Sequence, residues 1–322
     1  MNLAKRNHYN PCLWTAHWNQ HYYHCAISGA ADSLPARQQR VFALSVKSGK
    51  IFETAVENIH FDKHLGVAEI FREQAEEFAR RHHPDRYQQF IRDNQSAHYP
   101  VALDFEQILV ALENGPPYKV LLDVIGHQDL ASPEEKAFLS AFVLLQLLRS
   151  HAIMNSTLEW HRELGMSKFE HFVTLKWALS NPDTLLAALT PLVMSHWTLF
   201  VSPAHTFPLC DSPILVKPGS VMVALSPTLL LEILTRVPAG AHQWRIDDGM
   251  PSRKLAEYRM RTIGNTFREI IFGTRDVLEE WRATTAFEKR VALARDMKSY
   301  NQLVATRENE ELWLVNAYGN QD

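Results

Sequence analysis

The range 132–148 is the segment of this sequence that most constrains the fold. It opens with Ser-Pro-Glu-Glu, in which the serine can cap a helix, the proline suits the first helical position and the acids face the positive end of the helix dipole. The apolar run 137–148 follows, and it is much shorter than the roughly 20 residues that span a bilayer. The range therefore predicts a helix buried within a folded domain, with other elements packed around it.

Strand signals precede this helix. The ranges 40–46 and 51–56 are rich in strand formers and flank Lys47-Ser48-Gly49-Lys50, which predicts a hairpin turn. The range 21–27 carries aromatic strand formers and predicts a further strand. Residues 1–62 are therefore expected to be β-rich.

The rest of the chain mixes helical and strand signals. Apolar residues recur at helical spacing through much of 63–192, and strand character returns near 196–225. Ser226-Pro227 predicts the start of a helix that reaches residue 236, and the range 252–272 predicts another helix. The parallel β-α-β alternation of a doubly wound fold is absent from the sequence.

These patterns predict an α+β fold in one domain. We expect a mainly helical body and an antiparallel sheet built from the N-terminal hairpin strands and the strands near 196–225. The single domain is expected to cover 1–322, with a β-rich region at 1–62, a helical middle at 63–192 and a strand-helix region at 193–322.

Charge and cysteine content limit the function classes. The formal net charge is −3, so binding of nucleic acid would need a local basic patch rather than a global field. Three scattered cysteines are too few for a disulfide framework. No apolar stretch follows the basic pair Lys5-Arg6, as a secretory signal would require. We therefore expect a cytoplasmic protein with reduced thiols and no membrane association.

His8 and Asp211 form the first candidate pair for catalysis. A carboxylate that orients an imidazole gives the usual general acid or base near neutral pH. In the alternative interpretation, His8 bonds to the backbone and holds the N-terminal segment in place, while Asp211 forms an Asx-turn. A catalytic serine at Ser212 is disfavoured because the sequence contains no G-x-S-x-G elbow.

Gln146 and Arg149 form the second candidate pair. They are three residues apart on one face of the predicted apolar helix. A buried arginine must be paired or must bind an anion, and its planar fork suits a phosphate or a carboxylate. The alternative is a structural ion pair with Glu57 or Asp211.

Five residues near the N-terminus form a candidate metal site: Cys12, His17, His21, His24 and Cys25. Their nitrogen and sulfur atoms are suitable zinc ligands in sufficient number. However, the sequence contains no C-x₂-C pair, and the histidines of a strand at 21–27 would point to opposite faces. We therefore expect neither a metal nor another cofactor.

Other motifs of enzyme families are missing. The sequence contains no P-loop and no dinucleotide-binding fingerprint. The dense basic run at 80–86 can contact phosphates, but a solvated helix end is the simpler interpretation.

Several segments together resemble the domain-of-unknown-function family 4238. The chain is similar to that family in six places, which lie in the same order: Asn7-His8-Tyr9-Asn10-Pro11, Glu57-Asn58-Ile59-His60-Phe61, Leu145-Gln146-Leu147-Leu148-Arg149-Ser150, Phe207-Pro208-Leu209-Cys210-Asp211-Ser212-Pro213, Ala224-Leu225-Ser226-Pro227 and Asn265. Two positions depart from the family pattern, since Cys210 replaces a small hydroxyl residue and Asn10 replaces an apolar one.

The resemblance implies a biological setting rather than a reaction, because some members of the family act in bacterial defence against phage. We expect a defence protein that works as a metal-independent hydrolase or nuclease on a phosphate-bearing substrate such as nucleic acid. His8 would transfer the proton, Asp211 would orient it, and Arg149 with Gln146 would clamp the anion. Four further residues are assigned to substrate binding: Lys5, Arg6, Asn7 and Asn265.

Two alternatives remain from a different class. The chain could be a non-catalytic recognition protein that senses a phage component and signals through a partner. It could also bind a nucleotide ligand that changes its oligomeric state.

Overall fold

The computed structural model describes most of the chain between residues 7 and 296. The described residues are 7–8, 10–30, 34–62, 67–70, 72–82, 84–94, 101–104, 115–129, 132–150, 181–202, 206–238, 244–247 and 250–296, with single positions between 154 and 179. Lys5 and Arg6 lie outside them, as does most of the helix-like range 104–113.

Ten α-helices with continuous bounds are described. They are α1 (Cys12–Thr15), α2 (Gln20–Ser28), α3 (Arg72–His82), α4 (Tyr87–Asn94), α5 (Pro116–His127), α6 (Pro133–Arg149), α7 (Pro182–Val193), α8 (Ser252–Asn265), α9 (Arg275–Arg282) and α10 (Thr285–Asp296). None of the helices in the described part of the chain is both long and apolar enough to cross a bilayer.

Thirteen strands are described. They are β1 (Asn7–His8), β2 (Arg40–Ser45), β3 (Ile51–Ala55), β4 (Phe61–Asp62), β5 (Val67–Ile70), β6 (Val101–Asp104), β7 (Ser195–Val201), β8 (Leu209–Cys210), β9 (Leu215–Lys217), β10 (Ser220–Ser226), β11 (Leu229–Pro238), β12 (Trp244–Asp247) and β13 (Glu269–Phe272).

Two main sheets confirm the α+β class. The first has the order β12-β7-β11-β10-β9, antiparallel except for the parallel pair of β12 with β7. The second, antiparallel throughout, has the order β3-β2-β13-β8. The strands expected in one sheet are therefore divided between two, because β13 joins the N-terminal hairpin to β8. Two smaller pairs, β1-β4 and β5-β6, complete the topology of the described strands.

Two buried tryptophans connect the N-terminal helices to the rest of the molecule. The Nε1 atom of Trp14 donates to the Leu225 carbonyl at 2.9 Å, and that of Trp18 donates to the Phe207 carbonyl at 2.7 Å. The Trp14 ring also meets the Phe142 ring of α6 edge-on at 5.1 Å. Residues 12–18 are thus packed between α6 and the sheets, and both indoles have satisfied N–H groups.

The helix α2 corrects the prediction of a strand at 21–27. Asn19 caps it by accepting from the backbone N–H of Tyr22 at 3.0 Å, and Gly29 ends it with a left-handed φ of 70°. These end signals outweigh the strand preference of the aromatic residues between them. The range 1–62, where it is described, is therefore a mixture of helix and hairpin rather than mainly β.

The strand β11 corrects the prediction of a helix at 226–236. The hydroxyl of Ser226 accepts from the backbone N–H of Thr228 at 3.2 Å, which closes a tight turn rather than capping a helix. The apolar run that follows is hydrogen-bonded to β10 on one side and β7 on the other. Pairing on both edges overrides the helical preference of its leucines.

The helix predicted at 252–272 is also shorter than expected. It ends at Asn265, and the chain continues as β13.

Two predictions made from local signals are confirmed. The hairpin at 40–55 forms, and Gly49 in its turn has a φ of 69°. The side chain of Ser132 caps its helix by accepting from the Glu135 N–H at 3.1 Å.

Candidate functional site

A buried polar cluster lies where four distant segments meet. We call it the Asn10 cluster, and its members are Asn10, His60, Cys210, Asp211, Arg268 and Glu269. The Nδ2 atom of Asn10 donates to the Cys210 carbonyl and to Nδ1 of His60, at 2.9 Å in both cases. Asn10 and His60 are almost fully buried. Their contact brings together residues that are 50 positions apart in the chain.

The geometry defines the protonation of the His60 ring. Its Nε2 atom lies 3.0 Å from the Glu269 carbonyl, which can only accept, so Nε2 carries the proton. Its Nδ1 atom then accepts from Asn10. The backbone of His60 has a positive φ of 53°, an uncommon conformation for a residue with a side chain. The contacts of the ring with Asn10 and with the Glu269 carbonyl hold the backbone of His60 in this conformation.

Asp211 bonds to the backbone that connects α8 to β13. Its two carboxylate oxygens accept from the backbone N–H groups of Phe267 at 3.0 Å and Arg268 at 2.7 Å. Burial, reinforced by the negative charge of Glu269, raises the pKa of Asp211 to about 7, although both backbone N–H groups and the Arg268 charge oppose the rise. A buried carboxyl that titrates near neutral pH is a feature of functional sites as well as of structural networks.

His8 lies next to this cluster on a separate pair of strands. Its Nε2 atom is 3.2 Å from the Glu57 carbonyl, and its ring centroid is 5.6 Å from that of Phe61. The Phe61 carbonyl in turn accepts from Nη1 of Arg268 at 2.8 Å. His8 and Asp211 are thus connected through Phe61 and Arg268, and the contact described for His8 runs to a backbone carbonyl, as its structural interpretation expected.

Gln146 and Arg149 are buried on α6, as expected. Phe142, Gln146 and Arg149 are spaced at i, i+4 and i+7, so they share one face of the helix. Because Phe142 contacts Trp14, that face is turned toward the N-terminal segment. The predicted anion clamp therefore lies on the face of α6 that packs against Trp14.

The structure describes two of the four residues assigned to substrate binding, Asn7 and Asn265, and their contacts differ. Asn7 pairs with Asp62 through the backbone of β1 and β4. The side chain of Asn265 is buried and donates to the Arg261 carbonyl of its own helix at 2.8 Å, which assigns it to the structure of α8.

The five metal-like residues do not converge. His21 and His24 are exposed on α2, whereas His17 is fully buried, and burial lowers the pKa of His17 to about 4. Cys25 and His21 are one helical turn apart, with Sγ and Nε2 separated by 3.7 Å. Within the described residues, no group of three or more His, Cys, Asp or Glu side chains is placed to hold a metal ion.

The sequence interpretation missed Asn10 and His60 as partners. Asn10 entered it only as a departure from the family pattern, and His60 only within a motif. No local signal predicts their contact, because they are 50 positions apart in the chain. The Oδ1 atom of Asn10 is buried and has no hydrogen-bond partner within the described part of the chain, so it is an acceptor for a water or a small donor.

Comparison with models of protein families, with curated proteins and with solved structures finds no match for this chain.

Proposed function

We propose that this chain is a cytoplasmic defence protein related to the domain-of-unknown-function family 4238, and that it hydrolyses a phosphate-bearing substrate without a metal. The observation that supports the proposal is the convergence at the Asn10 cluster. Asn10, His60 and Cys210, which come from three of the six segments on which the proposed resemblance rests, meet there.

The residues next to the cluster have the chemistry that the reaction requires. His8 is half-buried, so it is accessible to a substrate and close to a protein surface. As a general base it takes a proton from water while the water oxygen attacks phosphorus and the bond to the leaving oxygen breaks. In this proposal Arg149 and Gln146 of α6 supply donors for the phosphate oxygens.

Asp211 has a modified role in this proposal. Because its oxygens accept from two backbone N–H groups, it is a positioning residue that holds the segment 207–213 against β13. Lys5 and Arg6 keep their proposed role in phosphate binding.

The test is phage challenge of bacteria that express the full chain. We expect His8→Ala and Arg149→Lys to reduce protection about 100-fold or more, because proton transfer and bidentate anion binding each contribute on that scale. Release of phosphate or nucleotides from nucleic acid by the purified variants is measured in parallel. His24→Ala is the matched control, since His24 is an exposed histidine on α2.

Thermal unfolding separates a catalytic role from a structural one. The His8→Ala variant is expected to unfold within a few degrees of the wild type, because the contacts described for His8 that it loses are a bond to a backbone carbonyl and a ring contact with Phe61. A folded His8→Ala variant that protects as well as the wild type would contradict the catalytic proposal.

A specific observation favours a second candidate, the non-catalytic recognition protein. The side chains of Asp211 and Asn265 both bond to backbone groups, so the contacts described for them are structural rather than catalytic. In that case both His8→Ala and Arg149→Lys retain protection, and no product is released from nucleic acid by any variant.

A further inference from the structure

A small pocket opens between the N-terminal helices and α5, and no member of the Asn10 cluster lines it. Its volume is about 190 Å³. Its lining is mainly apolar. Seven of the eight lining residues belong to α1, α2 and α5, and the eighth, His17, lies in the 3-10 turn 16–18. The lining residues are Leu13, His17, Tyr22, Ala26, Ile27, Tyr118, Leu122 and Ile125. A cavity of roughly 150 Å³ with an apolar lining is large enough to bind benzene. The pocket is therefore suited to a molecule with one ring.

His17 is one of the lining residues, and one nitrogen of its ring is an acceptor. Its Nδ1 atom lies 3.1 Å from the Trp14 carbonyl, which can only accept, so Nδ1 carries the proton and Nε2 has the lone pair. His17 is fully buried, and Nε2 has no hydrogen-bond partner among the described residues. An unsatisfied buried acceptor costs free energy, so a donor that reaches it is favoured.

The ring of His17 is held in place by its neighbours. Tyr22 meets it edge-on with 5.5 Å between ring centroids, and Tyr23 does so at 6.4 Å. Burial lowers the pKa of His17 to about 4, so the ring is neutral at physiological pH and its Nε2 atom remains an acceptor. A cationic or an anionic ligand has no charged partner in this lining.

Three large apolar side chains at the pocket are exposed to solvent. Leu13 and Ile27 are each 41% exposed, and Leu122 is 38% exposed. Most large apolar side chains are covered in a folded protein, and exposed ones that gather around a concave site mark a place for binding. The exposed residues and the buried acceptor are independent features, and they indicate the same site.

We propose that this pocket binds a small neutral molecule with one aromatic or aliphatic ring and one hydroxyl or N–H donor, which donates to Nε2 of His17. This site is separate from the proposed hydrolytic site, and the proposal does not depend on it. Apolar surfaces of the ligand would cover Leu13, Ile27 and Leu122, while the donor would satisfy the imidazole.

Phenol and toluene are the probes that test the proposal, because they have the same shape and differ in the donor. Ligand-observed NMR titrations of the full chain give the dissociation constants. We expect phenol to bind with a dissociation constant on the order of 1 mM. We expect toluene to bind about tenfold more weakly, since it leaves Nε2 unsatisfied.

Two substitutions locate the binding. Leu122→Trp fills the pocket and is expected to weaken phenol binding at least about tenfold. The matched control is Leu186→Trp, because Leu186 is 65% exposed on α7 and does not line the pocket. His17→Phe keeps a ring but removes the acceptor, so the advantage of phenol over toluene should disappear.

The proposal is overturned if phenol and toluene bind the wild type equally, or if neither binds. It is also overturned if Leu122→Trp and Leu186→Trp bind phenol alike. If His17→Phe does not fold, the proposal is still tested by the two probes on the wild type and by the comparison of Leu122→Trp with Leu186→Trp.

Discussion

Two buried histidines, His17 and His60, lie in regions that use the same side chain in opposite ways. The ring of His60 bonds through both nitrogens, to Asn10 and to the Glu269 carbonyl, and it connects segments far apart in the chain. The ring of His17 bonds through Nδ1 to the Trp14 carbonyl, three residues away, and its Nε2 atom has no partner among the described residues. The first therefore stabilises the fold, and the second offers an acceptor.

The difference shows that burial alone does not identify a functional residue. Both histidines are covered from solvent to a similar degree. They differ in how many ring nitrogens have a described hydrogen-bond partner: both in His60 and one in His17. A buried polar atom without a partner costs free energy that a ligand can recover.

The largest expected effect comes from removing the anchor of the His60 region. Asp211→Ala leaves the backbone N–H groups of Phe267 and Arg268 buried without their acceptor. We expect the free energy of unfolding to fall by about 3 kcal/mol, measured by urea denaturation. Asp123→Ala is the control, because Asp123 is exposed on α5, and it should change stability by less than about 0.5 kcal/mol. Equal effects would show that Asp211 is no anchor.

Replacement of either histidine by phenylalanine is expected to have the next largest effect on the free energy of unfolding. His60→Phe removes one of the two acceptors of the Asn10 amide and the ring donor to the Glu269 carbonyl, so we expect a loss of about 2 kcal/mol. His17→Phe removes one local bond but also an unsatisfied acceptor, and we expect a loss below about 1 kcal/mol. Urea denaturation of both variants tests the comparison, which fails if His17→Phe is the more damaging.

The pH dependence of stability gives a smaller effect per pH unit. Because the pKa of Asp211 is raised from 3.8 to about 7, the folded state keeps a proton between these values that the unfolded state has released. Stability therefore falls as pH rises from about 4 to about 7, by roughly 1 kcal/mol per pH unit, and this contribution is constant above that window.

The difference between the wild type and Asp211→Asn isolates this contribution, because the other titrating groups are shared. We expect the wild type to lose stability relative to the variant across the window. A difference that does not change between about pH 4 and about pH 7 would show that Asp211 is ionised throughout.

The elements of the fold that the sequence predicts are those with local signals. The hairpin at 40–55 follows from its turn, and the start of α6 follows from Ser132 and the proline after it. The strand β11 could not be predicted in this way, because Ser226-Pro227 and a leucine-rich run are typical of a helix start. Its conformation depends on β7 and β10, which pair with both of its edges.

The candidate site was predictable only to a limited extent. His8, Arg149 and Asp211 were chosen for their chemistry, and the structure connects two of them through Phe61 and Arg268. The contact of Asn10 with the Cys210 carbonyl spans 200 positions of the chain, and no spacing rule relates residues at that distance. Such contacts depend on how the sheets pack, which a single sequence does not encode locally.

The protonation of the two imidazoles tests the central comparison most directly. Proton–nitrogen correlation NMR on ¹⁵N-labelled protein, with His17→Phe and His60→Phe used to assign the signals, reports which ring nitrogen carries hydrogen. We predict at about pH 6 that His17 is neutral and protonated on Nδ1, whereas His60 is protonated on Nε2. The same tautomer in both rings, or a doubly protonated His17, would contradict the account.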